Sequence, residues 1–252
     1  MLTISFIPAF KDNYIWLLHT PDGRAAVVDP GDAGPVIERL NQDGLRLESI
    51  LITHHHADHQ GGVQALVERF NPEVFGPANE SITGCTRPLR GGERISVLGA
   101  AFDVLDVRGH TRGHLAYYTP GTLFCGDTLF GAGCGRLFEG TPEEMATSLG
   151  KIMALPDSTQ IYCAHEYTAM NLPFAAAVEP GNPLIAERMA AVAQRRQGRQ
   201  PTVPLTLAEE KATNPFLRCS VPEVIGQARQ QGAVDASPEA VFAALRAWRN
   251  VF

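Results

Sequence analysis

Eight short apolar or β-branched runs pace the first two thirds of the chain: YIWLLHT, AAVVDPG, ESILITH, ISVLG, AFDVLDV, AYYTPG, TLFCGD and QIYCAH. Many are closed by glycine, proline or aspartate, which reads as strands ended by turns. Helical patterns separate some of them, at 34–40, 62–70 and 142–154. The last has a full start signal, with Thr141 as N-cap, Pro142 in the first turn and Glu144 completing a capping box. Beyond Asn171 the alternation stops, and helices are expected at 183–197, 222–230 and 238–249. Asn182-Pro183 and Ser237-Pro238 each read as a cap followed by proline at the first helical position. The pattern restricts the chain to an α/β class with a boundary near residue 170, a mixed domain over 1–170 and a small helical one over 171–252.

One strand end carries THHHADHQGG, Thr53 to Gly62, so that half of the chain's eight histidines lie within six residues. The apolar strand ends at Thr53 and a helix is expected to begin near Gly61, which leaves the polar cluster on a loop at a strand's carboxyl end, where active sites of α/β folds gather. Residues two apart in an extended segment point the same way, so His54 and His56 can reach one ion while His55 points elsewhere and has a packing or solvent role. Asp58 and His59 face another direction.

Three further polar residues follow strands in the same manner: His110 in DVRGHTRGH, Asp127 in TLFCGDTLF and His165 in IYCAHEYT. Of the two histidines in GHTRGH, His110 is the expected ligand and His114, which opens the next strand, a supporting residue. His19 reads as a turn residue. Any one histidine after a strand is ordinarily structural; the set is not. Five histidines and two aspartates make seven donors, whereas a catalytic zinc uses three protein ligands and a structural one four. Two ions sharing a carboxylate fit better: His54, His56 and His110 on one, Asp58, His59 and His165 on the other, Asp127 between them. The mixed nitrogen and oxygen set suits zinc, iron or manganese.

Composition removes several alternatives. A net charge of -6 argues against a nucleic-acid surface. Residues 1–170 carry 12 basic and 20 acidic side chains and 171–252 carry 9 and 7, so the tail is slightly positive and attracts a small anion. No run approaches the roughly 18 apolar residues of a membrane span, and MLTISFIPAFKDNY lacks a signal peptide's basic start; a cytoplasmic protein is expected. The five cysteines are scattered with no CxxC spacing, which signals neither a disulfide framework nor a thiolate metal site.

The motif THxHxDH followed by GG, then GHTxGH, a strand-end GD and a late AHEYT resembles the metallo-β-lactamase superfamily. IPAFKDNYIWLL, CGDTLFGAGCGRLFEGTPEEM, NPFLRC and LRAWRNVF narrow the resemblance to glyoxalase II, the hydroxyacylglutathione hydrolases, over nearly the whole chain. It implies a four-layer αββα sandwich with the metals at one sheet edge and a C-terminal helical domain that helps hold glutathione. It also implies the seven ligands with the same division between two ions. Glutathione contacts carry over onto Arg136 to Phe138, Tyr167, Arg246 and Arg249. Two departures matter: Phe138 stands where some members have tyrosine, and Arg249 where some have lysine, which keeps the charge and changes the hydrogen-bonding geometry. Without the resemblance, Arg246 and Arg249 on a helix burying Val241, Phe242, Leu245 and Trp248 read equally as a solvated face. GAGCGR is weak as a phosphate loop, since no Lys-Ser/Thr follows, and reads better as glycines admitting backbone to the metal edge.

The implied activity is hydrolysis of S-D-lactoylglutathione or a related thioester, the second step of methylglyoxal detoxification. Two metals roughly 3.5–4 Å apart lower the pKa of a shared water from about 15.7 towards 7, with Asp58 orienting the hydroxide. A thiol with a pKa of about 8.5 leaves without an acid, which favours a thioester over an amide. A monomer is expected. A persulfide dioxygenase of the same fold needs one iron and fewer ligands, a β-lactamase commonly has cysteine at Asp127, and a metal-binding module without turnover is the non-enzymatic reading.

Overall fold

The computed structural model describes residues 2–252 and divides into two compact units, the residues up to 106 with 111–126, and 107–110 with 127–252. These bounds follow contact density, whereas the expected boundary near residue 170 follows the change from strands to helices.

The first unit contains β1 (Thr3–Ala9), β2 (Asn13–His19), β3 (Arg24–Val28), α1 (Ala33–Asp43), β4 (Arg46–Leu51), α2 (Ala57–Gln60), α3 (Val63–Phe70), β5 (Glu73–Pro77), β6 (Arg87–Leu89), β7 (Arg94–Val97), β8 (Ala100–Asp106), β9 (Leu115–Thr119) and β10 (Thr122–Gly126). β1 to β6 form one sheet in chain order, antiparallel from β1 to β3 and parallel from β3 to β6. β7 to β10 form an antiparallel meander. Val36 and Leu40 of α1 and Val63 and Leu66 of α3 join Ile15, Leu17, Val27 and Ile50 in one core, so these helices cover one face of the first sheet. Alternate residues Trp16, Leu18, Ala26, Val28 and Leu51 are buried as well, which places a second layer on the other face. From that side Tyr117 of β9 donates its hydroxyl to the Ile52 carbonyl at 2.7 Å.

The second unit contains β11 (Leu129–Phe130), β12 (Gly133–Cys134), α4 (Pro142–Met153), β13 (Gln160–Cys163), α5 (Thr168–Val178), α6 (Pro183–Gln197), β14 (Leu205–Thr206), α7 (Leu207–Thr213), a 3-10 turn (Pro215–Leu217), α8 (Pro222–Gln230) and α9 (Pro238–Val251). The Thr141 capping box is formed, and Asn182 and Ser237 cap α6 and α9 with proline in the first turn. Ala132, Leu172, Ala175, Ile185 and Val192 make one core. Phe174 packs on Phe216 and Trp248 at 5.9 and 5.0 Å between ring centroids in another.

The structure adds elements the sequence pattern does not announce. β1 and β6 are edge strands that contain Pro8 and Pro88, tolerated there because an edge need not donate on both sides. His19 is the last residue of β2, paired with Thr3 and Ala25, rather than a turn residue. The helix expected from Gly61 begins earlier: Asp58 and His59 sit on the one-turn α2, and α3 starts only at Val63. Among the described residues no helix is long and apolar enough to cross a membrane.

Candidate active site

In the first unit the chain leaves β4 through Ile52 and Thr53 into the histidine loop. The loop lies against the strand end at 28–31 so closely that a methyl on Gly31 would meet the Asp58 carbonyl oxygen at 1.9 Å. One on Gly62 would meet the Ala33 nitrogen at 2.5 Å. Only glycine admits that approach, which explains the GG that follows the histidines.

Within this loop His54 and His56 converge, Nε2 to Nδ1 at 3.0 Å, as their spacing predicts. His54 and His59 are fully buried, and Asp58 Oδ2 lies 3.5 Å from His59 Nε2. The loop has a buried support that the sequence reading passed over. Asp29, which closes AAVVDPG with φ +52°, accepts from the Thr53 amide at 2.8 Å and the Thr53 hydroxyl at 2.7 Å. Its Oδ2 also contacts His59 Nδ1 at 3.1 Å, while the Thr53 hydroxyl contacts His54 Nδ1 at 3.0 Å. Because a carboxylate only accepts, His59 carries its hydrogen on Nδ1 and keeps Nε2 as a lone-pair donor on the Asp58 side. Asn13 donates to Asp58 Oδ2 at 3.0 Å. His114 stacks on His54 with centroids 4.6 Å apart, and His55 spends its backbone amide on Glu80 at 2.7 Å.

In the second unit Asp127 turns one oxygen to each of two imidazoles, Oδ2 to His110 Nε2 and Oδ1 to His165 Nε2, both at 3.4 Å. His110 Nδ1 faces the Arg136 carbonyl at 2.8 Å and therefore carries the hydrogen, which leaves the Nε2 lone pair toward a carboxylate. A lone pair and an anionic oxygen at that distance repel unless a proton or a cation lies between them. The donor set thus fits a divalent ion, and the two-sided use of Asp127 fits a carboxylate shared by two. Gly135 permits the arrangement, since a methyl there would meet the Asp127 carbonyl oxygen at 2.0 Å and His110 Nδ1 at 3.0 Å. The other two glycines of GAGCGR close on different neighbours, Gly131 on Thr168 and Gly133 on Asn171.

His110 and Asp127 line a cleft of about 370 Å³ that also takes in Arg136, Phe138, Tyr167, Arg246 and Arg249. Tyr167 stacks on His165 with centroids 4.7 Å apart and planes 5° apart. Phe138, 62% exposed, sets its edge against His110 at 5.3 Å. The last helix is not a solvated face at Arg246, which is 5% exposed. Its guanidinium donates to the Cys134 carbonyl at 3.0 Å and Asn250 Oδ1 at 3.1 Å and lies over Phe216. Arg249 donates to Asn171 Oδ1 at 3.2 Å. Desolvation, then the charges of Arg246 and Arg136, hold the Arg249 pKa below its ordinary value. Three guanidinium groups whose charges meet at Arg249, with a carbonyl partner on buried Arg246 and an amide partner on half-buried Arg249, suit the cleft to an anion. Burial pushes the Cys134 thiol up, with Arg246 opposing, so no thiolate ligand is offered there.

Asn171, Phe130, Met170 and Phe216 also line the cleft without having been singled out from the sequence. NPFLRC and the residues after AHEYT were the available signals.

Residues 10–165 match the family described as the metallo-beta-lactamase superfamily, and residues 166–252 match the hydroxyacylglutathione hydrolase C-terminus. The hydroxyacylglutathione hydrolase of Dechloromonas aromatica is 63% identical over all of both chains, and that of Pseudomonas fluorescens 54%, again over both full lengths. The solved ETHE1 from Myxococcus xanthus superposes with a TM-score of 0.67 at 25% identity, covering 100% of this chain and 99% of its own.

Proposed function

This chain belongs to the hydroxyacylglutathione hydrolase family of the metallo-β-lactamase superfamily, and on that premise we propose that it hydrolyses S-(2-hydroxyacyl)glutathione thioesters, S-D-lactoylglutathione among them, to glutathione and the hydroxy acid. The observation that carries the reading lies within one unit: the carboxylate of Asp127, set between two imidazoles, opens onto the same cleft as Arg136, Arg246 and Arg249. A metal-ligand set and an anion site share one cavity, as a hydrolase of an anionic thioester requires.

Seven residues are proposed to hold two divalent ions: His54, His56 and His110 for one, Asp58, His59 and His165 for the other, with Asp127 shared. Zinc is the metal proposed, and iron or manganese satisfies the same donors. Such ions supply Lewis acidity toward a carbonyl and lower the pKa of water. Asp58, steadied through Oδ2 by Asn13, accepts a hydrogen bond from the attacking water and orients it. Arg246 and Arg249 bind the glutathione carboxylates, and Arg136 adds charge at the mouth. Tyr167 is the phenol available to the peptide, and Phe138 offers an apolar edge in place of a second hydroxyl. No side chain need protonate the leaving group, because a thiol of pKa about 8.5 departs as thiolate.

Residues 171–252 form the glutathione-binding part in this reading. The monomer is the working unit, and the cytoplasm, where thiols stay reduced, is the compartment proposed, consistent with five free cysteines among the described residues. The dioxygenase alternative is not favoured, because the 63% identical full-length relative is a hydrolase. Loss of the ultraviolet thioester band on adding metal-reconstituted protein to S-D-lactoylglutathione tests the proposal. Oxygen uptake on glutathione persulfide with no thioester loss would reject it.

A further inference from the structure

Among the described residues the hairpin β11–β12 is too short to fix its own shape, at two residues per strand, yet it supplies Phe130, Gly133 and Cys134 to the cleft wall. Its backbone is held from outside. Glu210 Oε2, on a fully buried side chain, accepts from the Ala132 amide at 2.9 Å across 78 residues of sequence. Asn214, also fully buried, donates from Nδ2 to the carbonyls of Phe130 at 3.2 Å and Gly133 at 3.0 Å and to Glu210 Oε2 at 2.8 Å. Arg188, 5% exposed, pairs with Glu210 Oε1 and donates to Thr213 Oγ1 at 2.6 Å. Ala132 sits at φ +52°, a conformation a non-glycine residue keeps only when its surroundings impose it.

Apolar residues of like volume often replace a buried ion pair with no loss of stability, so the pair is weak evidence for a stability role. What this one does locally is aim the Ala132 amide and fix a wall whose Phe130 ring meets Tyr167 edge to face at 5.1 Å. We propose that Glu210 is a positioning residue for thioester binding: it holds Ala132 so that the hairpin presents the glutathione-facing wall, with Arg188 pairing with its other oxygen and Asn214 bracing both hairpin strands. The inference rests on the hydrolase reading above.

Two double variants isolate the contact, Arg188→Met with Glu210→Gln and Arg188→Met with Glu210→Met. Neither leaves a buried charge unpaired, and they differ in whether position 210 can accept from Ala132. With the metal-loaded protein and S-D-lactoylglutathione, the methionine pair should raise KM about tenfold over the glutamine pair, the cost of a lost buried acceptor, with kcat and metal content alike. Affinity for S-hexylglutathione, which is not hydrolysed, should fall by the same factor. Equal KM and equal affinity in the two variants overturn the proposal. Should a variant fail to fold, hydrogen exchange of the wild-type Ala132 amide decides: protection matching the core strands supports the hold by Glu210, and free exchange overturns it. If the wild type neither hydrolyses the thioester nor binds S-hexylglutathione while Ala132 stays protected, the hydrolase reading fails and Glu210 keeps only its local contact.

Discussion

Asp29 offers the sharpest perturbation of the proposed metal site that leaves every proposed ligand in place. Its carboxylate is 4% exposed and meets three donors, the Thr53 amide, the Thr53 hydroxyl and His59 Nδ1, at 2.8, 2.7 and 3.1 Å. Alanine would orphan all three, and at roughly 1–3 kcal/mol per buried unsatisfied group the expected loss is about 2–6 kcal/mol once one water enters the space and satisfies one of them. That is a large part of the roughly 5–15 kcal/mol that holds a domain folded. Asparagine acts differently. Its oxygen still accepts from the Thr53 amide, the Thr53 hydroxyl turns to accept from the new amide, and asparagine tolerates the left-handed backbone at φ +52°. His59 then faces a donor, so its hydrogen moves to Nε2 and the lone pair offered to the proposed metal is lost, while the displaced Thr53 hydrogen is left facing His54 Nδ1. Replacing such a support ordinarily weakens metal binding by about 10–100-fold. Urea unfolding of the metal-free proteins and chelator competition separate the effects: Asp29→Asn should keep most of its stability and lose metal affinity, whereas Asp29→Ala loses both. An Asp29→Asn protein that binds metal as tightly as the wild type would refute the reasoning about His59.

Thr141→Ala breaks a formed capping box and should lower stability by about 0.5–2 kcal/mol. Thermal melting should show it, with kcat/KM unchanged. Glu179 is buried, and although burial raises its pKa, hydrogen bonds from Arg218 and Asn182 and the Arg218 charge hold the net value below the ordinary one. Its stabilisation is therefore full above the unfolded value of about 4.3 and fades as pH falls through the lower folded value. Arg218→Met should cost roughly 2–4 kcal/mol near neutrality and flatten that acid-side decline in urea titrations. Burial pushes the Cys219 thiol up to about 12, so iodoacetamide at mildly alkaline pH should label half-buried Cys85 first and reach Cys219 only on unfolding, as mass mapping would show.

Much of the secondary structure was legible because its signals are local. The turn-closed runs became β2 to β4 and β7 to β10, and the caps at Thr141, Asn182 and Ser237 formed where their neighbours placed them. The candidate ligands were legible for a related reason: His54, His56, His110, Asp127 and His165 each follow a strand, and two-residue spacing alone put His54 beside His56. What escaped depends on contacts across long stretches of chain. Asp29 looks like a turn aspartate until the fold sets it against His59, 30 residues on. Arg246 looks solvated on its own helix until Cys134 and Phe216 close over it. Edge strands with proline and the broken start of α2 and α3 gave weak periodicity, since four residues cannot display a helical repeat.

Metal titration of the apoprotein, with thioester hydrolysis read after each addition, tests the account most directly. Seven donors with Asp127 shared predict that activity climbs until two equivalents are bound per chain and then levels off. Full activity at one equivalent, or metal uptake with no thioester cleavage, would contradict it.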